Sequence, residues 1–246
     1  MATAALNWHA ALPQLGRHFR AVAPNLRGHG PGGRRDQPFT LDSCADELAE
    51  TIEQLGLQGS TVVGYSMGGA LAQVLARRHA DLLGGIVLCA TASEFAGKTW
   101  LRPAVRVVAR AGSAAARQWS GTASAVLAWR LRRHDQAVAR RTGATSTDSA
   151  WALDERGASQ LAAFMEAGAE LNAYDSSPWL ASLRVPGAVV VTTEDAVVAP
   201  WRQDRLVELL GGAQRYEVAA GHDAVVARPD LFLPVLIRAC TDLYTP

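Results

Sequence analysis

The order of apolar segments along the 246-residue chain predicts an α/β protein built on a mostly parallel central sheet. Short runs rich in β-branched residues alternate with stretches whose apolar residues recur every three or four positions. The segment 95–180 lacks a good strand-like run and predicts a helical insertion. We therefore divide the chain into a first core segment at residues 1–94, the insertion at 95–180 and a second core segment at 181–246.

The individual elements follow from this alternation. Strand-like runs are found at residues 19–24, 61–64, 85–90, 187–192 and 214–218. Helical spacing is found at residues 41–55, 67–79, 201–210 and 231–243. Asp42 or Ser43 is the expected N-cap of the first of these helices, and Gly56 is its expected end. The β-branched run at 61–64 is typical of a parallel strand buried on both faces.

The composition excludes several classes of function. The formal net charge of +1 argues against nucleic acid as a partner, because such binding depends on neutralising phosphates. Cys44, Cys89 and Cys240 are too few and too scattered for a disulfide framework or a zinc site, so we expect reduced thiols. No apolar run is long enough to span a bilayer, and the N-terminus lacks the features of a signal peptide. These observations predict a cytoplasmic protein without a membrane span.

The sequence Gly-Tyr-Ser-Met-Gly at residues 64–68 joins a predicted strand to a predicted helix. A serine in this G-x-S-x-G pattern lies in a sharp turn that raises its hydroxyl above the sheet. We expect both glycines to be required, because bulkier residues would clash where strand and helix nearly touch. The helix N-terminus favours negative charge that develops beside the serine. Ser66 is therefore the candidate nucleophile.

A nucleophilic serine needs a base, and the chain has six histidines. His222 follows the last predicted strand and therefore lies at the same sheet edge as Ser66. His79 lies at the far end of the helix that follows Ser66, and His29 lies in a glycine-rich turn that we expect it to stabilise by a hydrogen bond. The remaining histidines have no comparable context: His9, His18 and His134. His222 is the candidate base.

The base in turn needs an orienting carboxylate at the same edge of the sheet. Glu194 and Asp195 directly follow a predicted strand and lie between Ser66 and His222 in chain order. Consecutive residues near a strand end point to different sides, so only one of the two can face the histidine. Asp195 is favoured because its shorter side chain gives a more fixed acceptor. Glu194 is the alternative, and Glu94 is the third choice.

In this order the motifs resemble those of the α/β-hydrolase fold serine hydrolases. The matching segments span nearly the whole chain and are residues 26–30 (Leu-Arg-Gly-His-Gly), 64–69, 194–200 and 221–222. The resemblance implies a helical cap at 95–180 and a triad of Ser66 as nucleophile, His222 as base and Asp195 as acid. It also implies that the backbone N–H of Met67 is a first oxyanion donor. Members of this family need no metal or organic cofactor.

The start of the chain departs from the family pattern. The family begins with three short strands, and the third ends in a His-Gly loop that supplies a second oxyanion N–H. Residues 1–8 resemble the segment just after that loop, so we expect about 25–30 residues of N-terminal strands to be missing. The missing third strand belongs between the strands predicted at 19–24 and 61–64. We expect a chain start assigned too late, or a fragment.

The resemblance implies hydrolysis of a carboxylic ester or thioester through an acyl-enzyme on Ser66. Most of the seven tryptophans lie in or at the end of the insertion, at Trp100, Trp119, Trp129, Trp151 and Trp179. They favour a small-molecule substrate with an apolar group, the alternative being that they only pack in a core. Other reactions on the same site are C–C bond hydrolysis, lactone opening and cofactor-free perhydrolysis. A non-catalytic, ligand-binding member is the alternative from another class, favoured by the missing oxyanion segment.

Overall fold

In the computed structural model, which describes residues 4–29, 38–95, 112 and 161–243, four parallel strands form one sheet in the order β1-β2-β3-β4. The strands are β1 (Ser60–Tyr65), β2 (Leu83–Cys89), β3 (Gly187–Thr192) and β4 (Gln214–Val218). The two central strands are almost wholly buried, as parallel strands covered on both faces must be. The carboxyl ends of all four strands lie at one edge of the sheet, which is where loops carry function in such folds.

The helices cover the two faces of this sheet. They are α1 (Ala4–Trp8), α2 (Leu12–Leu15), α3 (Leu41–Gln54), α4 (Met67–Arg78), α5 (Leu161–Ala173), α6 (Pro200–Leu209), α7 (Ala224–Ala227) and α8 (Pro229–Leu243). Helices α3, α4 and α6 contribute to one apolar core, and α7 and α8 contribute to a second core on the opposite face. No helix among the described residues combines the length and apolar character needed to cross a membrane.

Most predicted elements are confirmed, with helix ends that differ by one or two residues. The cap of α3 is a correction: Thr40, and not Asp42 or Ser43, is its N-cap, because the Thr40 side chain accepts a hydrogen bond from Ser43 N. Gly56 follows the helix with a φ of +62°, a backbone conformation that suits glycine, as predicted for the helix end. Strand β1 lies at the sheet edge and is only half-buried over most of its length, so the prediction of burial on both faces is wrong for it.

The strand predicted at residues 19–24 is also wrong. Residues 20–26 have no regular secondary structure, and no strand precedes Ser60 among the described residues. A strand needs a neighbour for its backbone N–H and C=O groups. Within the part of the chain that the structure describes, β1 pairs only with β2, and residues 20–26 pair with no strand. Phe19 packs against the second core while Val22 stays 48% exposed, so this apolar run contributes one side chain to the core and no strand to the sheet.

The ends of the predicted insertion are joined to each other. Glu94 and Asp175 form an isolated antiparallel bridge, and Ser176 N donates to Ser93 O. Helix α5 lies within the insertion, in keeping with its predicted helical character. Residues 96–111 and 113–160 lie outside the described residues, and with them Trp100, Trp119, Trp129 and Trp151. The division of the chain at 94 and 180 stays a prediction.

Candidate active site

Ser66 occupies the turn between β1 and α4 at the carboxyl edge of the sheet. Its backbone has φ +53° and ψ −117°, a conformation that a residue with a side chain rarely adopts. The turn is held by two backbone hydrogen bonds, from Ser66 N to Cys89 O and from Gly69 N to Ser66 O, both at 2.9 Å. Strain of this kind persists only where the surrounding structure enforces it, and it is found at functional sites.

The glycines around Ser66 differ in the space that each leaves for a side chain. A Cβ on Gly64 would lie 2.4 Å from the backbone oxygen of Gly68, so the prediction that this glycine is required is confirmed. A Cβ on Gly68 would have no neighbour within 4 Å, so the same prediction is wrong there. The second close approach falls on Gly69, whose Cβ would lie 2.4 Å from a side-chain carbon of Thr91. Strand β1 therefore approaches helix α4 most closely at Gly64, and α4 approaches the loop after β2 most closely at Gly69.

A continuous chain of hydrogen bonds joins the three residues singled out in the sequence. Ser66 Oγ lies 2.9 Å from His222 Nε2, and His222 Nδ1 lies 2.8 Å from Asp195 Oδ2. The Asp195 side chain is fully buried, while the His222 side chain keeps 23% exposure. A hydroxyl bonded to an imidazole, itself held by a buried carboxylate, can lose its proton to that imidazole as it attacks an electrophile.

The Asp195 carboxylate is held by donors on both of its oxygens. Val197 N and Val198 N each donate to Oδ1 at 2.8 Å. Thr192 Oγ1 donates to Oδ2 at 2.9 Å, beside the bond from His222 Nδ1. Hydrogen bonds to a carboxylate from several directions fix its position, so these contacts hold the plane of the Asp195 carboxylate.

The two alternative acids lie elsewhere. Glu194 is exposed, and its backbone N–H donates to Ala220 O at 3.1 Å. Glu94 lies in the backbone bridge to Asp175 and carries the carbonyl that accepts from Arg202 Nη1 at 3.2 Å. The carboxylate that the structure brings to His222 is thus that of Asp195.

Tyr65 contacts His222, an interaction that was not predicted from the sequence. Its hydroxyl donates to the backbone oxygen of His222 at 2.7 Å, and its ring packs edge-on against His222 and Phe232. Burial raises the pKa of the Tyr65 phenol well above its usual range, which keeps the group protonated and able to donate. Tyr65 precedes the serine in the motif, but its contact with His222 spans 157 residues and leaves no local pattern.

Of the other histidines, His29 and His79 contact groups away from Ser66. His29 Nδ1 lies 2.9 Å from Arg27 O, which confirms the predicted hydrogen bond within its turn, and burial lowers its pKa. His79 Nε2 lies 2.7 Å from Asp46 Oδ1 at the far end of α4. His9 and His18 are exposed residues near the N-terminus, and His134 lies outside the described residues.

Met67 is the first residue of α4, so its backbone N–H has no acceptor within the helix and lies next to the serine. Such an N–H can donate to an oxygen that gains negative charge. Among residues 4–29, 38–95 and 161–243, no group of three His, Cys, Asp or Glu side chains is placed to hold a metal ion.

A parallel sheet with a strained serine turn between strand and helix defines the class of the α/β hydrolases. The chain belongs to the alpha/beta hydrolase family, whose sequence model matches residues 2–235. Among solved structures it resembles the enol-lactonase from Burkholderia xenovorans LB400, with a TM-score of 0.75 and 23% identity over 97% of this chain and 87% of that chain. At this identity the likeness shows the fold alone.

Two curated relatives have higher identity over a shorter stretch. A 2-hydroxy-6-oxo-6-(2'-aminophenyl)hexa-2,4-dienoic acid hydrolase from Metapseudomonas resinovorans is 32% identical over 87 residues, which are 35% of this chain and 30% of that protein. A bifunctional esterase/perhydrolase from Acinetobacter calcoaceticus is 36% identical over 86 residues, 35% of this chain and 31% of that protein. The matched part is thus about a third of the length of either relative.

Proposed function

We propose that the chain is a serine hydrolase that cleaves a carboxylic ester or thioester, with Ser66 as nucleophile, His222 as base and Asp195 as orienting acid. The observation that carries the proposal is the unbroken hydrogen-bond chain from Ser66 Oγ through His222 to the buried Asp195 carboxylate. The strained turn at Ser66 supports it, because such strain is kept where a hydroxyl must be presented. The similarity to an esterase/perhydrolase points in the same direction.

The proposed mechanism uses this hydrogen-bond chain. Ser66 Oγ attacks the carbonyl carbon while His222 Nε2 accepts its proton, and the imidazolium is stabilised by Asp195. The oxyanion that forms is bound by the N–H of Met67. His222 then protonates the leaving alcohol or thiol, which leaves an acyl group on Ser66. Water then loses a proton to His222 and attacks the acyl carbon. The bond to Ser66 Oγ breaks, His222 returns the proton to that oxygen, and the acid leaves.

Hydrolysis of a carbon–carbon bond is a second candidate. It is favoured by the match to the dienoic acid hydrolase, whose 32% identity is close to that of the esterase/perhydrolase. Both reactions use an activated serine site, so the residues named above serve either one. The substrate in either case is proposed to be a small molecule with an apolar group.

A panel of p-nitrophenyl esters of increasing chain length, with a 2-hydroxy-6-oxo-dienoate added, tests the proposal. We expect saturable ester hydrolysis by the wild-type protein and its loss by a factor on the order of 10⁴ or more in Ser66→Ala. Circular dichroism confirms that the variant is folded. Turnover of the dienoate alone would favour the second candidate. Equal turnover by wild type and Ser66→Ala, or a folded protein without turnover of any member, would refute the proposal.

A further inference from the structure

Behind Asp195 lies a buried polar group that the proposed chemistry does not use. Gln203, on the first half of α6, is 0% exposed, and Thr192, the last residue of β3, is also 0% exposed. Thr192 Oγ1 lies 2.9 Å from Asp195 Oδ2, and Gln203 Nε2 lies 3.0 Å from Thr192 Oγ1. These two side chains connect helix α6 to the carboxylate.

The orientation of the Gln203 amide is determined by its backbone partners. Thr192 N, which can only donate, lies 3.0 Å from Gln203 Oε1. Val198 O, which can only accept, lies 2.8 Å from Gln203 Nε2. A flipped amide would place its N–H donors against the donor Thr192 N and its oxygen against the acceptor Val198 O. The amide oxygen therefore faces Thr192 N, and the amide nitrogen faces Val198 O. The second proton of Nε2 is then directed to Thr192 Oγ1, its next nearest acceptor.

This assignment also fixes the single proton of the Thr192 hydroxyl. The hydroxyl accepts from Gln203 Nε2 and has two possible acceptors of its own, Asp195 Oδ2 at 2.9 Å and Gln203 Oε1 at 3.3 Å. The carboxylate oxygen is the nearer of the two and the stronger acceptor, so the proton lies on the bond to Asp195. Oδ2 thereby receives one donor from the threonine and one from His222, and Gln203 Nε2 makes only a longer contact with it, at 3.4 Å.

We propose that Thr192 and Gln203 are positioning residues for the acid: Gln203 directs the hydroxyl proton of Thr192 onto Asp195, and that bond holds Oδ2 in line with His222 Nδ1. The inference rests on the proposed function, because it assigns these residues a role in the same site. It predicts an effect on the chemical step and none on substrate binding, since neither side chain is exposed to a substrate.

The test compares Thr192→Val, which removes the hydroxyl from a similar shape, with Thr192→Ser, which keeps it. With the best p-nitrophenyl ester of the panel, we expect Thr192→Val to lower kcat by about tenfold at constant KM, the size expected for one hydrogen bond to a charged group. Thr192→Ser should restore most of the loss. The low-field proton NMR resonance of His222 Nδ1–H should move in Thr192→Val and return in Thr192→Ser.

Gln203→Met tests the direction of the effect, since methionine has a similar length and no amide. If Gln203 acts through the Thr192 proton, Gln203→Met lowers kcat at constant KM, and the double variant with Thr192→Val loses no more than the larger single loss. Multiplying losses in the double variant would overturn the coupling. A wild-type kcat and an unmoved resonance in Thr192→Val would overturn the inference as a whole.

Thermal unfolding of each variant is measured alongside. Should Thr192→Val fail to fold, Gln203→Met decides alone, and a wild-type kcat with an unmoved resonance in that variant would overturn the inference. Ser66→Ala separates this inference from the proposed function. Turnover retained in Ser66→Ala refutes the function, whereas an inactive Ser66→Ala beside a Thr192→Val variant of wild-type kcat refutes only the positioning role.

Discussion

Asp195 and Glu194 are adjacent carboxylates in opposite surroundings, one buried among five donors and the other exposed. We predict that Asp195→Asn lowers kcat by about 10⁴, because an amide presents a donor to His222 and favours the wrong imidazole tautomer. Glu194→Gln is the matched control and should change kcat little. Steady-state kinetics on an ester measures both. A larger loss in Glu194→Gln would make Glu194 the acid.

The glycines of the serine turn allow a second prediction at the residue scale. Gly64→Ala should lower the free energy of unfolding by about 1–3 kcal/mol or more, because the backbone of Gly68 stands where the methyl group would be. Gly68→Ala, with open space around its Cβ, should be neutral or stabilising by up to about 1 kcal/mol, the helix preference of alanine. Urea unfolding measures both variants. Equal losses in the two would contradict the assigned contacts.

Functional residues can be predicted from the sequence where the adjacent residues form a recognisable pattern. Strand alternation lets only one of Glu194 and Asp195 face the histidine, and Asp195 was preferred because its shorter side chain gives a more fixed acceptor. Tyr65, Thr192 and Gln203 could not be found in this way, since their roles depend on partners brought near by folding. Gln203, in particular, reads as one polar residue in an amphipathic helix until its amide is seen against β3.

Helix α4, which begins directly after Ser66, also contacts both ends of the predicted insertion. Gln73, fully buried within it, accepts from Tyr174 OH and Ser176 Oγ at 2.9 and 2.7 Å and donates to Ala92 O at 3.2 Å. One amide therefore ties the helix to the loop after β2 and to the segment after α5. Both joints of the predicted insertion are anchored to the helix that follows Ser66.

We predict that Gln73→Leu destabilises the fold by about 1–3 kcal/mol for each buried group that loses its partner. Tyr174→Phe removes only one of the three bonds and should cost less. Denaturant unfolding of the two variants and of wild type gives the comparison. A Gln73→Leu protein as stable as wild type would mean that these bonds do not hold the helix to the joints.

Element prediction succeeded where a segment's own pattern decides its structure. Strand β3 was predicted with its observed ends because a β-branched run bounded by turn residues fits a buried parallel strand. Residues 19–24 have a comparable apolar run but pair with none of the four described strands, and the presence of a neighbour is a property of the whole sheet. The cap of α3 was assigned too late in the chain, since Thr40 directly precedes Leu41, which is the position where an N-cap is expected.

The two cores, one on each face of the sheet, together enclose all three cysteines. Burial raises the pKa of Cys44 and of Cys240 to about 12 and that of Cys89 well above its usual range. In the unfolded chain these thiols lose their protons above about pH 8.5. The folded state keeps them protonated, so raising the pH above this value favours unfolding. The contribution of the protonated thiols to the free energy of unfolding is therefore fully present below about pH 8.5, and it is lost as the pH rises towards 12.

The size of this effect can be measured through the fully buried Cys89. Each such thiol should lower the free energy of unfolding by about 1.4 kcal/mol per pH unit in the alkaline range. When the pH is raised from about 8 to about 10, the free energy of unfolding of Cys89→Ala should thus decrease by about 2 kcal/mol less than that of the wild type. Denaturant unfolding at both pH values gives the two differences. An identical pH dependence would show that the thiol ionises in the folded protein.

The whole molecule brings Ser66, Asp195 and His222 together from three loops at one edge of a parallel sheet. The order of strands and helices predicts this edge, because parallel strands all end there. It does not predict which substrate reaches the serine, since substrate choice depends on the side chains that line a site and not on the order of strands and helices. The central claim is therefore the reactivity of Ser66 itself.

Labelling with a fluorophosphonate, read by intact and peptide mass spectrometry, measures that reactivity most directly. The folded wild-type protein should gain one phosphonyl group on the peptide that contains Ser66, because only a serine activated by a base reacts at useful rates. Ser66→Ala should gain none, and His222→Ala should react far more slowly. A folded wild-type protein that stays unlabelled, or a Ser66→Ala variant labelled as fast as wild type, would contradict the account.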